Sequence, residues 1–303
     1  MKQTNKNIFY ILMFLAMVAW GASWVNVKVI STYINEFEMV FFRFSITAIT
    51  MIPIIVYLKK SFKIDLKSFI LVVITSIIFI AYMKYFFLGT KLGTASLGGA
   101  FVTTLIPINT FLILALLKVK KIAKKDFFAL ALGGIGVLTM LNIWNVELKQ
   151  ILVIQNLYFI LAAILWPIIT ILSSKSVNIS PIVFTFYLYV VTTLIDAVFF
   201  VDFKNISFES FDTIFWINIF ILTIAASTFA NTVYFLGIEK LGASEVSTFI
   251  FLVPFAAIVL SAIFLEEDIG ISIIIGTILT LIAVKILNDI KIFKKIKKVN
   301  IEK

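Results

Sequence analysis

The sequence predicts an all-α polytopic membrane protein, with ten transmembrane helices arranged as two inverted five-helix repeats. Three observations carry this. Apolar runs of bilayer length follow one another along the whole chain. The lysines between them fall almost entirely on one side. A segment of the first half recurs in the second at an offset of 149 residues.

Hydrophobic residues make up 62% of the 303 positions and charged residues only 14%, against roughly 25% charged in ordinary globular domains. The predicted spans are 8–30, 37–58, 66–88, 93–117, 127–144, 152–173, 181–201, 213–236, 242–265 and 270–288. Each approaches the ~20 residues that an α-helix needs to cross a hydrocarbon core. None shows the two-residue alternation of a membrane barrel strand. The first run, Ile8 to Ile30, lacks a small-residue cleavage site and reads as a retained helix rather than a signal peptide. The expected units are therefore a first repeat over 8–144, a second over 152–288, and a basic tail over 289–303.

The connections orient the chain. Nineteen lysines lie on the side of the N-terminus, among them Lys59, Lys60, Lys63 and Lys67, the group from Lys118 to Lys125, and the tail. The opposite side holds Lys91, Lys149 and Lys204, with acidic residues such as Glu36, Asp212, Glu266 and Glu267. The positive-inside rule puts both termini in the cytoplasm and requires an even number of crossings. The same distribution explains the net charge of +10, so no nucleic-acid partner is expected. The expected setting is a bacterial inner membrane, with the lipid bilayer itself as a partner. Oligomeric state is left open.

The repeat pairs residues 81–93 with residues 230–242, with Ala, Tyr, Phe, Lys, Leu and Gly identical at six of thirteen positions. A proline-bearing helix follows each copy, with Pro107 and Pro254, and Trp20 and Trp166 sit mid-helix in helices 1 and 6. Five helices per repeat is odd, so the second copy enters the membrane upside down. That arrangement typifies secondary transporters with a midplane site between the halves.

With no cysteine and no histidine, thiolate nucleophiles, Ser-His relays and most zinc sites are excluded. No enzyme activity, metal or cofactor is expected. Intramembrane ionisable residues are functional candidates by default, and here they are Arg43, Lys84, Asp196 and Glu245. Snorkelling to the interface is the competing role for the first three. Polar rows at helical spacing add Thr223, Ser227, Asn231 and Tyr234 on helix 8; Thr185, Tyr189, Thr192 or Thr193, and Asp196 on helix 7; Trp20, Trp24 and Lys28 on helix 1; and Arg43, Thr47 and Thr50 on helix 2. Either helix–helix hydrogen bonding or a shared cavity accounts for each row, and four rows together favour the cavity. Trp144 and Trp216 read as interface anchors. The glycines at 98–99 and 133–134 read as points of close helix contact.

The order of several short features resembles the EamA-type transporters of the drug/metabolite transporter superfamily. These are Trp20-Gly21-Ala22-Ser23-Trp24, Phe42-Arg43-Phe44, Gly93-Thr94-Ala95-Ser96 before Pro107, Gly242-Ala243-Ser244 before Pro254, Leu265-Glu266, and Gly276. One departure is that Leu117-Lys118-Val119-Lys120 replaces the Gly-Glu that usually closes helix 4, leaving Glu266 as the second-half counterpart. The resemblance implies helices 1–4 and 6–9 around a central cavity and a small-molecule substrate, commonly exported. On that reading Lys84 and Arg43 meet a carboxylate, Asn231, Tyr234 and Tyr82 hydrogen-bond it, and Trp20, Trp24 and Trp166 form the walls. Asp196 and Glu245 are candidates for proton coupling, and Pro107 and Pro254 for gating. An amino acid or small carboxylate fits best. An uptake carrier, a carrier of larger anions such as nucleotide-sugars or cofactors, and a non-transport structural role stay open.

Overall fold

A computed structural model describes residues 3–119, 121, 123–143, 152–176, 178–241 and 249–287, with the side chains of 3–7, 238–241 and 251 left undescribed. Every regular element in it is helical: α1 Gln3–Ile30, α2 Glu36–Tyr57, α3 Leu66–Leu92, α4 Ala95–Leu116, α5 Lys124–Met140, α6 Ile154–Ser174 and α7 Pro181–Phe199. Next, α8 runs through three consecutive stretches, Thr213–Phe220, Ile221–Phe229 and Ala230–Leu241. After a 3-10 turn at Phe249–Phe251 come α9 Leu252–Phe264 and α10 Ile271–Leu287. Among the described residues seven of these helices are long and apolar enough to cross a membrane, and α9 and α10 are shorter apolar helices.

The helix starts follow from local chemistry. Asn35 and Glu38 form a capping box on α2, whose side chains satisfy the first free amides of the helix. Asp65 caps α3 through the Ser68 amide, and Asp212 caps α8 through the Phe215 amide. These two aspartates lie 147 residues apart, two fewer than the 149-residue offset of the matched segments, so the two helices start alike but two residues out of register.

Large apolar side chains cover the outside of the bundle, with Ile49 65%, Val198 73% and Ile263 63% exposed. In water such a surface would drive aggregation, whereas in lipid it is the solvated face. The helices therefore gain little from apolar burial against one another and associate through close packing. Small residues supply it. A Cβ on Gly21 would lie 2.5 Å from that of Ala256, and one on Gly276 would lie 2.5 Å from the Gly136 carbonyl. Gly98 and Gly99 fit against Phe159, Trp24 and Ala257, and Gly133 against Ile108. Gly134 faces open space, so only half of that expected pair makes a contact.

The helices pair chiefly as α1 with α8 and α9, α6 with α3 and α4, α2 with α7 and α8, α3 with α7, α4 with α9 and α10, and α5 with α10. The α2–α7 pair is antiparallel, since Phe37 stacks on Phe200 and Phe44 on Tyr189. The α5–α10 pair runs the same way, with Gly133 near Ala283 and Gly136 near Thr280.

Several expectations are corrected. The third helix extends to Leu92, four residues past the predicted end. Pro254 lies in the first turn of the described helix Leu252–Phe264 rather than at mid-helix, a position where its missing N–H removes no α-helical bond of that helix. α2 also carries an internal proline, Pro53. The region 242–248 and Glu245 lie outside the described residues, as do Trp144 and the basic tail.

Candidate functional site

Seven residues into α2, the Arg43 side chain turns inward and is 8% exposed. Its Nε–H donates to Ser227 Oγ at 3.0 Å, its Nη1 lies 3.9 Å from Met83 Sδ, and its Cζ lies 5.3 Å from the centre of the Phe44 ring. Among the described residues no carboxylate pairs with it. A guanidinium carries five N–H donors and keeps its charge at any physiological pH. Buried charges are ordinarily paired; here a hydroxyl and a thioether stand where a counter-ion would. The burial answers the snorkelling alternative, because the charge points into the bundle.

Ser227 belongs to the Ile221–Phe229 stretch of α8, which is wound as a π-helix. The Ala230 amide donates to the Ala225 carbonyl, five residues back, and Ser227 Oγ donates to the Leu222 carbonyl at 2.9 Å, again five back. Long π segments are rare and concentrate at functional positions. Neighbouring helices pin this one at three consecutive residues. Trp20 Nε1 donates to the Ala226 carbonyl at 3.0 Å, Arg43 reaches Ser227, and Thr50 and Thr228 share a hydrogen bond of 2.7 Å.

Aromatic residues enclose the group. Tyr189 stacks on Phe44 with ring centres 4.7 Å apart, and its hydroxyl accepts from Asn231 Nδ2 at 2.6 Å. Tyr82 packs against Trp166 at 4.9 Å and Phe79 at 6.0 Å. Trp20 meets Tyr234 at 5.1 Å, and Trp24 meets Phe86 at 4.5 Å. Arg43, Tyr82, Trp166 and Asn231 thus surround one central region, with Trp20 and Tyr234 across the π segment and Trp24 further along α1.

Lys84 stands apart. It is half-buried, with its amine over the Phe37 ring at 5.4 Å, and Phe37 itself stacks on Phe200. Asp196 is fully buried on α7. Pro107 lies inside α4, removing the amide that would bond the Thr103 carbonyl. The matching defect in α6 is repaired, because Asn109 Nδ2 donates to the Ala163 carbonyl that Pro167 leaves free.

The polar rows resolve differently from one another. Thr47 and Thr50 bond carbonyls of their own helix at Arg43 and Ile46, Thr185 bonds Pro181, and Thr223 bonds Ile219. Such back-bonding satisfies a hydroxyl without any cavity. The helix 8 row meets three helices in turn, Ser227 touching α2, Asn231 α7 and Tyr234 α1.

One end of the bundle carries the contacts that tie the connections together. Glu267 accepts from the Ala95 and Ser96 amides at 2.7 and 2.9 Å, closing the start of α4. Lys28 donates to the Lys91 and Gly93 carbonyls beside it. Glu266, read from the sequence as the counterpart of the family's acidic residue, instead has φ of 53°, the left-handed position that suits the glycine of a Gly-Glu pair. Glu267 is the working carboxylate, and Lys118, at φ of 57°, takes the glycine position after α4. At the same end Tyr33 donates to both Asp212 oxygens at 3.0 and 3.1 Å. The Phe215 amide, then the Tyr33 hydroxyl, hold the Asp212 carboxyl below the usual carboxylate range. Desolvation, then Asp212, push the Tyr33 phenol up. At the opposite end a cavity of about 140 Å³ is lined by Leu58, Lys60, Ser180, Pro181, Phe235 and neighbours, away from Arg43.

Apolar, bilayer-length helices make this a multi-pass helical membrane protein, and its similarities place it among membrane transporters. The chain matches the EamA-like transporter family twice, over residues 7–142 and 153–288. It belongs to that family, within the drug/metabolite transporter superfamily. It is similar to the uncharacterized transporter YyaM of Bacillus subtilis (strain 168), with 23% identity over 292 residues, 94% of this chain and 93% of the relative. A protein solved by crystallography shares the fold at a TM-score of 0.61, with 14% identity, covering 92% of this chain and 96% of its own.

Proposed function

We propose that this transporter moves a small carboxylate-bearing metabolite, an amino acid or small organic acid, outward across the bacterial inner membrane by alternating access. Arg43 is the observation that carries the reading: a buried guanidinium without a carboxylate partner among the described residues. Its fork geometry suits a bidentate carboxylate. Tyr82, Tyr189 and Asn231 supply hydrogen-bonding groups beside it, and Trp166 and Phe44 supply apolar walls. Tyr234, Trp20 and Trp24 line the neighbouring helix, and Lys84 contributes positive charge at the rim rather than in the centre. Pro107 and Pro254 are the proposed gating points. With Glu245 they await a functional test.

Ten crossings with cytoplasmic termini, built as two inverted repeats, complete the proposal. The lysine asymmetry supports the orientation. The chief pairs, α4–α10 apart, support the repeat: exchanging the first five helices with the last five turns α1–α8 into α6–α3, α1–α9 into α6–α4 and α2–α8 into α7–α3, and leaves α2–α7, α4–α9 and α5–α10 unchanged. The two halves rock about the Arg43 region in this mechanism.

Solute counterflow in proteoliposomes, with labelled amino acids, small carboxylates and amines, tests the proposal. Saturable counterflow of a carboxylate, reduced at least ~100-fold in Arg43→Gln and only partly kept by Arg43→Lys, is expected if a fork is required. Flux confined to amines, or flux unchanged in Arg43→Gln, overturns it.

A further inference from the structure

Asp196 lies on α7, four residues before the end of the helix, and is fully buried. Neither of its carboxyl oxygens has a hydrogen-bond partner. One turn back, the hydroxyls of Thr192 and Thr193 are also buried and without partners. Three adjacent polar side chains thus lack the partners that buried polar groups almost always have. Among the described residues no other element makes up the deficit. α7 packs against α2, α3 and the Ala230–Leu241 stretch of α8, and the following described charged and titratable groups there point elsewhere. On α2, Glu36 stands in the first turn, Glu38 accepts from the Asn35 amide, and Arg43 bonds Ser227. On α3, Tyr82 packs on Trp166, Lys84 lies over Phe37, Tyr85 stacks on Tyr158, and Lys91 lies over Phe87. On α8, Tyr234 faces Trp20, and on α7 itself Tyr189 is taken by Asn231.

The position lies one turn from the end of α7. The Phe200 amide donates to the Asp196 carbonyl, and the Phe200 ring stacks on Phe37 at 4.9 Å, almost parallel. This aromatic pair lies one helical turn beyond Asp196, with Phe200 48% exposed. An ionised carboxylate with no donor and no counter-ion would be far more costly there than a neutral acid. A carboxyl so placed carries one ligand without further help, a proton.

We infer that Asp196 is a proton-binding site of this transporter. On opening to water, hydronium transfers its proton to one carboxylate oxygen and leaves as water. The closed bundle then holds the neutral acid, and opening to water returns the proton. The site does not depend on the substrate assigned to Arg43.

Infrared difference spectroscopy between acid and alkaline buffers, on the purified full chain in lipid without any substrate, tests this. The expected result is a carboxylic-acid carbonyl band in the acid state that shifts with carboxyl-labelled aspartate and is lost in Asp196→Asn. A Phe200→Ala variant is expected to exchange this proton for deuterium faster than the parent. A band that ignores the aspartate label, or a spectrum unchanged in Asp196→Asn, overturns the assignment. So does a carboxylate band that responds to sodium and not to acid, which makes the site one for a metal cation. The label assigns the band to one of the seven aspartates, and a second substitution, Asp196→Ser, assigns it to this position where Asp196→Asn fails to fold. Loss of carboxylate counterflow in Arg43→Gln with the band retained separates this site from the substrate site.

Discussion

α3 and α8 hold matching places in the two halves, yet they are wound differently. Each starts at a capping aspartate, each carries the Ala-Tyr-Phe pattern of the repeat, and each packs against the first helix of the other half. α3 is α-helical from Leu66 to Leu92, whereas α8 is wound as a π-helix over nine residues. To Arg43, α3 offers the Met83 thioether and α8 the Ser227 hydroxyl. To α1, the π segment also offers the Ala226 carbonyl. A repeated ancestry supplies two similar scaffolds, and the difference in winding makes one of them the polar side of the centre.

The strongest way to break this contrast is to remove the π winding. Deleting Ala225 takes one residue from the stretch and lets the helix run on in ordinary α register. Residues before and after the deletion are then rotated relative to one another, so the bonds to Trp20, Arg43 and Thr50 cannot all persist. At about 1 kcal/mol for each buried hydrogen bond, the loss is about 2–3 kcal/mol, visible as an earlier thermal transition in detergent. Counterflow is expected to vanish with it.

Two substitutions then separate what the helices contribute. A Cβ on Gly89 of α3 would meet the Phe159 ring at 2.7 Å, and that ring is fully packed. Gly89→Val should therefore cost about 1–3 kcal/mol by overpacking, and thermal unfolding measures it. On α8 the contribution is polar instead. Trp20→Phe keeps the ring against Tyr234 and removes the N–H from the Ala226 carbonyl. The expected cost is about 1 kcal/mol, with a larger proportional loss of counterflow than in Gly89→Val.

Much of this was legible in the sequence, for reasons that are physical. Spans such as 37–58 and 181–201 are written in apolar length, and lipid admits few alternatives to a helix there. Arg43 stood out because a charge in a span is costly. The π winding was hidden. Ile221–Phe229 reads Ile-Leu-Thr-Ile-Ala-Ala-Ser-Thr-Phe, an unremarkable apolar run, and its form is held by bonds from residues about 180 to 200 positions away. Spacing arguments that assume 3.6 residues per turn placed Ser227, Asn231 and Tyr234 in one row, which meets three different helices in turn. Thr47, Thr185 and Thr223 each bond a carbonyl of their own helix and so need no cavity, whereas Thr192 and Thr193 do not. Glu267 was overshadowed by Glu266, because only the backbone angle reveals which of two adjacent acids takes the turn and which one caps α4.

The two capping aspartates give the smallest effect and the finest comparison. Asp65 accepts from the Ser68 hydroxyl and amide, which hold its carboxyl below the usual range. Asp212 is lowered first by the Phe215 amide and then by Tyr33. A carboxyl that is more acidic when folded adds stability above its unfolded value, and loses it as the pH falls through the lower folded value. Neither cap should therefore weaken between neutrality and about pH 5, and both should fade only below about pH 4. Asp65→Asn keeps an acceptor for the helix amide and removes the titration, so its acid arm flattens. Asp212→Asn should flatten its own arm and also weaken the tie to Tyr33, which belongs to the other half. Acid unfolding followed by circular dichroism compares them, and a Tyr33→Phe background isolates the tie. If that background removes the excess effect at Asp212, the α8 cap is coupled across the halves where the α3 cap is local.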